Sequence, residues 1–301
     1  MLPVEKHKAD IQQSLRAKPT LVFTAPPGSV KSTMLPLFLS EMPELKGEIV
    51  VLQPRRLAAR MLASSVASMN GFTIGKEIGY QVRGDKKRGP ETKVSYRTDG
   101  LFLRQLINED IDNVAAVILD EFHERSWQMD VILPLLIERQ KTKKDFYLVV
   151  MSATMETENL CHYLDCPLLI CESQLYPVEI YYNQFSRNVP LWERAFRALS
   201  KHLESSKASG NILIFMPGVS EINKTINLCR NLKGIEACAL YGSMRPEEQD
   251  RSLSDTGQRK VIVCTNIAET SLTVQGVNTV IDAGYSRVNR YEPGRGIDTL
   301  N

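Results

Sequence analysis

The chain has 301 residues, 43% of them hydrophobic and 24% charged, a composition typical of a soluble globular protein with room for two domains. Lysine and arginine (37) nearly balance aspartate and glutamate (35), so the net charge of +2 neither requires nor excludes a nucleic-acid partner. No apolar run approaches the roughly 18 residues of a membrane span, and the first residues do not resemble a signal peptide. We therefore expect a cytoplasmic protein with no membrane partner.

The cysteines do not form a recognisable metal site. Cys161, Cys166 and Cys171 are evenly spaced near His162. Zinc ligands usually come in close pairs such as C-x₂-C, and no such pair occurs in the sequence. Apolar neighbours predict that these residues are buried thiols.

Strand and helix patterns alternate along the first half of the chain, which predicts an α/β fold with a parallel sheet. Strands are predicted at 20–25, 48–53, 92–97, 114–120 and 146–152. Helices with an apolar period of about 3.6 residues are predicted at 32–43, 55–69, 100–109 and 127–139. The basic segment Asp85–Pro90 is predicted to be an exposed loop.

A break near Glu172–Pro177 divides the chain, and we place the predicted domains at 1–173 and 174–301. An edge-like strand is predicted at Val178–Tyr182, followed by a long helix at 190–207. Strands then follow at 211–216, 236–240, 260–264 and 278–282, with helices at 219–231 and 245–253. The second half is therefore predicted to form another sheet of the same broad type.

Two adjacent carboxylates, Asp120 and Glu121, close the apolar run Val114–Leu119. Acids at the end of a buried strand are unfavourable unless something occupies them, and a hydrated Mg²⁺ with an attacking water is the usual occupant. The alternative is a strand end capped by solvated acids.

A second loop, Ala25–Thr33, follows another apolar run and opens a predicted helix. A helix N-terminus presents free N–H groups to phosphate, and a lysine there can reach the β- and γ-phosphates. The predicted nucleotide-binding residues are Pro27, Gly28, Ser29, Val30, Lys31, Ser32 and Thr33. Ser32, more readily than Thr33, would join Asp120 and Glu121 as a Mg²⁺ ligand. Together the two segments predict a nucleoside triphosphatase, although a lysine after an ordinary tight turn is the alternative.

The loop departs from the phosphate-binding pattern G-x-x-x-x-G-K-[ST] at two positions. Ala25 and Val30 stand where the pattern has glycines. Forcing valine into the backbone conformation that precedes the lysine costs about 1–3 kcal/mol. We expect nucleotide binding to be weakened.

The residues around the acidic pair receive separate predicted roles. Asp120 would hold Mg²⁺, Glu121 would orient or deprotonate the attacking water, and His123 would couple the site to the second domain. Taken alone, a histidine such as His123 is more often a satisfied interface residue than a catalytic one. Ser152 and Thr154 would hydrogen-bond the acidic segment, although Ser-Ala-Thr is also an ordinary strand-to-helix transition.

The order and spacing of these motifs resemble the DEAH/RHA type of superfamily 2 nucleic-acid helicases, and within it the bacterial HrpB group. The resemblance extends from about Leu2 to Asn301. It is carried by Gln53–Arg60, Gly79–Arg83, Arg97–Gly100, Asp120–Ser126, Ser152–Met155, Ile214–Gly218, Leu240–Met244 and Thr265–Thr273.

This resemblance implies two tandem RecA-like domains of the P-loop NTPase type, with ATP and Mg²⁺ in the cleft between them. Single-stranded or partly duplex RNA or DNA would lie across both domains, and ATP hydrolysis would drive translocation and unwinding. The family's strand-gripping positions correspond to Arg55, Arg56, Thr98, Asp99 and Gly100, and in the second domain to Gly218, Gly242, Thr265 and Asn266. Its coupling positions correspond to Ser152, Thr154, Glu269, Thr270 and Ser271.

A second departure concerns the arginines that complete such sites. The family carries a Q-x-x-G-R-x-G-R segment downstream of the position of Asp282, and the chain ends at Asn301 before it. We therefore expect an incomplete second domain, either a fragment or a natural truncation. A competing hypothesis is a weak or inactive helicase remnant that binds nucleic acid or a partner without turnover. A P-loop kinase or transporter ATPase would not explain Thr265–Thr273.

Overall fold

The computed structural model describes residues 3–26, 28–108, 111–153, 157–172, 177–186, 188–204, 210–269, 274–287, 289–292, 294 and 297–300. The chain divides into two compact units, Met1–Pro177 and Val178–Asn301. Each unit contains a mainly parallel sheet with helices packed on it. The expected α/β class with parallel sheets in two domains is confirmed, while the domain boundary at 173/174 stays a prediction.

The first unit alternates helices and strands. After a short 3₁₀ helix at Pro3–His7, its helices are α1 (Lys8–Ala17), α2 (Lys31–Ser40), α3 (Arg56–Asn70), α4 (Asp99–Ile107), α5 (Trp127–Thr142) and α6 (Glu158–Leu164). Its strands are β1 (Thr20–Thr24), β2 (Glu48–Gln53), β3 (Ile78–Val82), β4 (Asp85–Lys87), β5 (Val94–Thr98), β6 (Val114–Leu119), β7 (Tyr147–Ser152) and β8 (Leu168–Ile170).

The eight strands form one sheet in the order β4-β3-β5-β2-β6-β7-β1-β8, and all neighbours are parallel except β3 and β4. Side chains of one face pack with α1, α2 and α3, and those of the other with α4 and α5. Because helices cover both faces, the central strands are apolar along their whole length, and every residue of β6 is buried.

The second unit begins with α7 (Leu191–Leu203), followed by α8 (Val219–Cys229) and α9 (Pro246–Leu253). Its strands are β9 (Asn211–Phe215), β10 (Ile235–Leu240), β11 (Arg259–Cys264) and β12 (Val277–Asp282), and they form a parallel sheet in the order β10-β11-β9-β12. An antiparallel pair, β13 (Asn289–Glu292) and β14 (Ile297–Leu300), is separate from it. None of the described helices is long and apolar enough to cross a membrane.

Two predicted elements are wrong. The basic segment Asp85–Pro90 is not simply a loop, because Asp85–Lys87 forms β4 through backbone pairing that does not depend on apolar side chains. The edge-like strand Val178–Tyr182 does not form. Its alternating residues suit a half-buried strand, but Ile180 is 70% exposed and no described strand pairs with the segment.

Other elements have no counterpart among the sequence-based predictions. These are α1, β3, α6, β8, β13 and β14. The long helix predicted at 190–207 is shorter, since α7 ends at Leu203. The cysteines at 161, 166 and 171 are free thiols, but the prediction that they are buried holds only for Cys171, because Cys161 and Cys166 are partly exposed.

Candidate nucleotide and nucleic-acid site

The predicted site residues of the first unit gather at one edge of its sheet. The loop 25–30 follows β1, Pro54–Arg56 follows β2, Gly100 comes shortly after β5, and Asp120 follows β6. These strands are parallel, so their carboxyl ends meet at the same edge, where open α/β sheets bind ligands.

The phosphate-type loop has the strained backbone expected at Val30. Its φ of 64° and ψ of 22° lie in the left-handed region, as does the φ of 78° at Gly28. The Thr33 hydroxyl donates to the Val30 carbonyl at 2.9 Å, so it is engaged within the helix start. Pro27 lies outside the described residues.

Lys31 and the acidic pair lie together in a buried cluster. The Lys31 Nζ is 3.4 Å from Glu121 Oε1, and the two residues are only 4% and 8% exposed. Asp120 is fully buried, accepts the Glu121 N–H at 2.9 Å, and also accepts a hydrogen bond from the Gln53 side-chain amide. The Glu121 backbone is left-handed too, with φ 51°. Two segments distant in sequence thus form one charged cluster.

Burial and the neighbouring Asp120 charge raise the pKa of Glu121 to about 7, although Lys31 works in the opposite direction. A carboxylate with a pKa near neutrality is well matched to accepting a proton from water. The Glu121 carboxylate therefore has the chemistry of a general base.

His123 bridges two motifs of the first unit. Its Nδ1 accepts the Ala153 N–H at 3.3 Å, and its Nε2 lies 3.4 Å from Glu121 Oε2. Because Nδ1 is an acceptor, the ring proton of the neutral form is on Nε2, facing Glu121. Burial, followed by the Lys31 charge, lowers the pKa of His123. Ser152, at the end of β7, accepts the Ala25 N–H through its carbonyl at 3.2 Å.

The cluster fits phosphate and a hydrated cation. Buried side-chain oxygens of Thr24, Ser29 and Gln53 (Oε1) have no hydrogen-bond partner in the described part of the chain, and all three lie at this edge. Such atoms are suitable partners for ordered water or phosphate oxygens. The described residues contain no group of three or more His, Cys, Asp or Glu placed to hold a metal. Mg²⁺ bound with nucleotide needs only one or two carboxylates.

The predicted strand-gripping residues of the first unit differ in exposure. Arg56 and Gly100 are exposed, whereas Thr98 and Asp99 are 8% and 7% exposed. Asp99 accepts the Gly100 N–H at 2.6 Å and the Ser126 hydroxyl at 2.7 Å, so both carboxylate oxygens are engaged within the unit. Asp99 thus joins the starts of α4 and α5.

Arg55 makes an ion pair that connects the two groups of motifs. Its Nη2 lies 3.4 Å from Glu124 Oε2, four residues after Asp120. The guanidinium predicted to grip a nucleic-acid phosphate is therefore adjacent to the acidic segment.

In the second unit, the predicted residues follow β9, β10 and β11 and so share one edge of that sheet. They are Gly218, Gly242, Thr265 and Asn266. A methyl group on Gly218 would lie 3.1 Å from the Arg287 guanidinium carbon, which shows how closely that side chain covers the glycine. Glu269 caps a short 3₁₀ helix. Thr154, Thr270 and Ser271 lie outside the described residues.

Two residues of the site were missed by the sequence-based predictions. Gln53 ends β2 and binds Asp120, and its signal was a polar side chain at the end of an apolar strand. Tyr96, fully buried on β5, donates its hydroxyl to the Ser32 carbonyl at 2.8 Å. No local pattern marks Tyr96, because its partner is 64 residues away.

A model of the DEAD/DEAH box helicase family matches residues 6–162. The chain belongs to this family. A model of the helicase conserved C-terminal domain matches residues 194–293, within the second unit. The motifs that contain Lys31 and Asp120 are therefore those of the DEAD/DEAH box helicase family.

Curated relatives include "ATP-dependent RNA helicase HrpB" of Escherichia coli, 36% identical over 99% of this chain and 38% of its own length. "ATP-dependent RNA helicase HrpA" of Borreliella burgdorferi is 35% identical over 97% of this chain and 36% of its own. The chain therefore spans less than two-fifths of these relatives.

A crystal structure of the E. coli DEAH/RHA helicase HrpB is similar to this chain with a TM-score of 0.89. The similarity covers all of this chain and 39% of the HrpB chain. A second structure, of the E. coli DExH-box NTPase HrpB, gives a TM-score of 0.78. The similarity covers all of this chain and 38% of that HrpB chain. The expected resemblance to DEAH/RHA helicases and to HrpB is confirmed, as is the tandem RecA-like fold.

Proposed function

We propose that the chain is the ATP-dependent motor core of an RNA helicase. ATP hydrolysis would be coupled to movement along a single strand and to opening of adjoining duplex. The observation that carries the proposal is the buried contact of Lys31 with Glu121 beside Asp120. Both curated relatives are named as RNA helicases, which favours RNA over DNA, and a cytoplasmic location belongs to the same proposal.

The residues of the buried cluster and of the start of α2 have separate roles in the proposed reaction. Lys31 and the N–H groups at the start of α2 bind nucleotide phosphates, and Ser32 and Asp120 hold Mg²⁺, which neutralises phosphate charge when bound. Glu121 accepts the proton of the attacking water, and His123 keeps Glu121 oriented through its contact with Ala153.

The exposed residues at the same edge form the proposed strand-binding surface. Arg56 and Gly100 would contact the sugar-phosphate backbone, and Arg55 would exchange Glu124 for a phosphate. Contacts of this kind provide affinity without sequence preference, which suits translocation. Gly218, Gly242, Thr265 and Asn266 would contribute the corresponding surface of the second domain, and Ser152, Thr154, Glu269, Thr270 and Ser271 would couple strand and nucleotide.

The decisive experiment measures phosphate release from ATP with Mg²⁺, with and without single-stranded RNA, in wild type and Glu121→Gln. Loss of a general base lowers such rates about 10²–10⁴-fold, and we expect a fall of that size in the variant. Glu138→Gln is the matched control, since its exposed carboxylate pairs with Lys141 on the surface of α5. Equal rates in wild type and Glu121→Gln would refute the enzymatic proposal.

The assay also distinguishes the finer alternatives. DNA of the same sequence in place of RNA tests the choice of nucleic acid, and strand release from a duplex with a single-stranded overhang tests unwinding. A non-hydrolysing binding module is the second candidate, favoured by the left-handed backbone of Val30. It predicts RNA binding with phosphate release at the level of Glu121→Gln.

A further inference from the structure

Pro36 removes one backbone hydrogen bond from α2, the helix that follows the phosphate loop. In an α-helix the N–H of residue 36 would donate to the carbonyl of residue 32, but Pro36 has no N–H. The Ser32 carbonyl therefore has no donor from its own helix at that position. A buried carbonyl without a donor is unfavourable by an amount similar to a lost hydrogen bond.

Tyr96 supplies that donor from a different element. Its hydroxyl donates to the Ser32 carbonyl at 2.8 Å, and the side chain is fully buried. A tyrosine hydroxyl is protonated at neutral pH and is therefore able to donate this hydrogen bond. This hydroxyl thus contacts the backbone of Ser32, a proposed Mg²⁺ ligand.

The position of Tyr96 connects this contact to the strand-binding surface. Tyr96 is on β5, two residues before Thr98, and β5 leads directly into Asp99 and the exposed Gly100. A displacement of the end of β5 by a bound strand would be transmitted through the Tyr96 hydroxyl to the first turn of α2.

We propose that Tyr96 is a positioning residue that couples the strand-binding end of β5 to Ser32 in the nucleotide site. The inference rests on the proposed function, because it requires both sites. Tyr96 contacts neither ligand, and it acts through Ser32.

The test compares the Kd of a non-hydrolysable ATP analogue with Mg²⁺ in the presence and absence of single-stranded RNA. The ratio of the two Kd values measures the coupling between the nucleotide and RNA sites. Each ligand changes the affinity for the other by this same factor. We expect Tyr96→Phe to bring this ratio closer to one by about two- to tenfold, the change equivalent to one hydrogen bond. The matched control is Tyr80→Phe, which removes the hydroxyl that donates to Asp85 at 2.9 Å and should leave the ratio unchanged.

A double variant separates coupling from simple satisfaction of the carbonyl. Pro36→Ala restores a helix N–H that can donate to the Ser32 carbonyl. The double variant Tyr96→Phe/Pro36→Ala should therefore regain the thermal stability that is lost in Tyr96→Phe. Its ratio of Kd values should stay as close to one as in Tyr96→Phe. Recovery of both quantities would show that the tyrosine only satisfies the carbonyl, and would overturn the inference. Should Tyr96→Phe not fold, the ratio is measured in the double variant.

Two further outcomes distinguish a failure of this inference from a failure of the proposed function. An unchanged ratio in Tyr96→Phe, with hydrolysis still abolished by Glu121→Gln, overturns the inference alone. A wild-type chain that binds no analogue overturns the proposed function and the inference together.

Discussion

Val30 has a backbone conformation that glycine normally occupies. Its φ and ψ of 64° and 22° nearly match those of Gly71 at the end of α3, 67° and 21°. Glycine is common at such helix ends because it has no Cβ to resist this conformation. The strain was predictable from sequence, since the phosphate-loop pattern fixes which position must be left-handed.

Replacing Val30 with glycine should relieve this strain. We expect Val30→Gly to stabilise the chain by about 1–2 kcal/mol, within the range for one strained residue, and to lower the Kd for ATP. Thermal unfolding and equilibrium binding of a fluorescent ATP analogue measure the two effects.

Gly71→Val provides the matched control, because no heavy atom of the described residues, apart from its own chain neighbours, lies within 4 Å of the added Cβ. The site is also remote from the nucleotide loop in sequence. The variant should destabilise by a similar amount and leave the Kd unchanged. An ATP affinity that does not improve in Val30→Gly would show that the valine side chain does not limit nucleotide binding.

At the scale of elements, a buried ion cluster fastens β2 to its neighbours. Glu48, 4% exposed at the start of β2, pairs with Arg97 of β5 at 2.6 Å and with Arg88 after β4 at 2.7 Å. Burial alone would raise the pKa of Glu48, but the two arginines, Arg97 foremost, outweigh it and lower the pKa. The carboxylate therefore stabilises the fold in its charged form.

Glu48→Gln should destabilise the first unit by about 3–5 kcal/mol, because it leaves two guanidinium groups without their shared counter-charge. The lowered pKa means that this contribution is complete above the ordinary carboxyl pKa and is lost as pH falls through the lower folded-state value. Urea unfolding at neutral and acidic pH should show the difference between wild type and variant shrinking in acid. Glu44→Gln, at an exposed pair with Arg16, is the control and should change little. A pH-independent difference would contradict the assigned charge.

Sequence patterns predicted those elements whose character is local. The central strands β1, β2, β6 and β7 are apolar runs, and their positions follow from that alone. Short or polar elements such as β4 and β8 form because a neighbour pairs with them, which no local pattern records. The segment 178–182 is the converse case, since it has strand residues and no described partner. The roles of Tyr96 and Gln53 were not predicted because their hydrogen-bond partners, Ser32 and Asp120, are distant in sequence.

At the scale of the whole molecule, the chain consists of two units joined near Pro177. The segment that follows carries exposed aromatic side chains, with Tyr181 and Tyr182 at 77% and 91% exposure and without regular structure. Exposed backbone outside secondary structure is a preferred site of proteolysis.

Brief digestion with chymotrypsin, which cleaves after aromatic residues, should therefore cut first at Tyr181 or Tyr182 and release two fragments. Mass spectrometry identifies the site, and circular dichroism of the separated fragments tests whether each retains its sheet. Tyr163, also exposed at 63% but within α6, is an internal control and should be cut later. First cleavage before Pro177, or beyond Leu191 where the first helix of the second unit begins, would contradict the proposed division.

The contact between Lys31 and Glu121 has a consequence for how any anion enters the site. The lysine already holds a tethered carboxylate, so in the proposed function an incoming phosphate would compete with a group that dilution cannot remove. Nucleotide binding would then include an exchange of anions on Lys31. A phosphate that takes the place of Glu121 would free this carboxylate at the moment when a ligand for it to act upon has arrived.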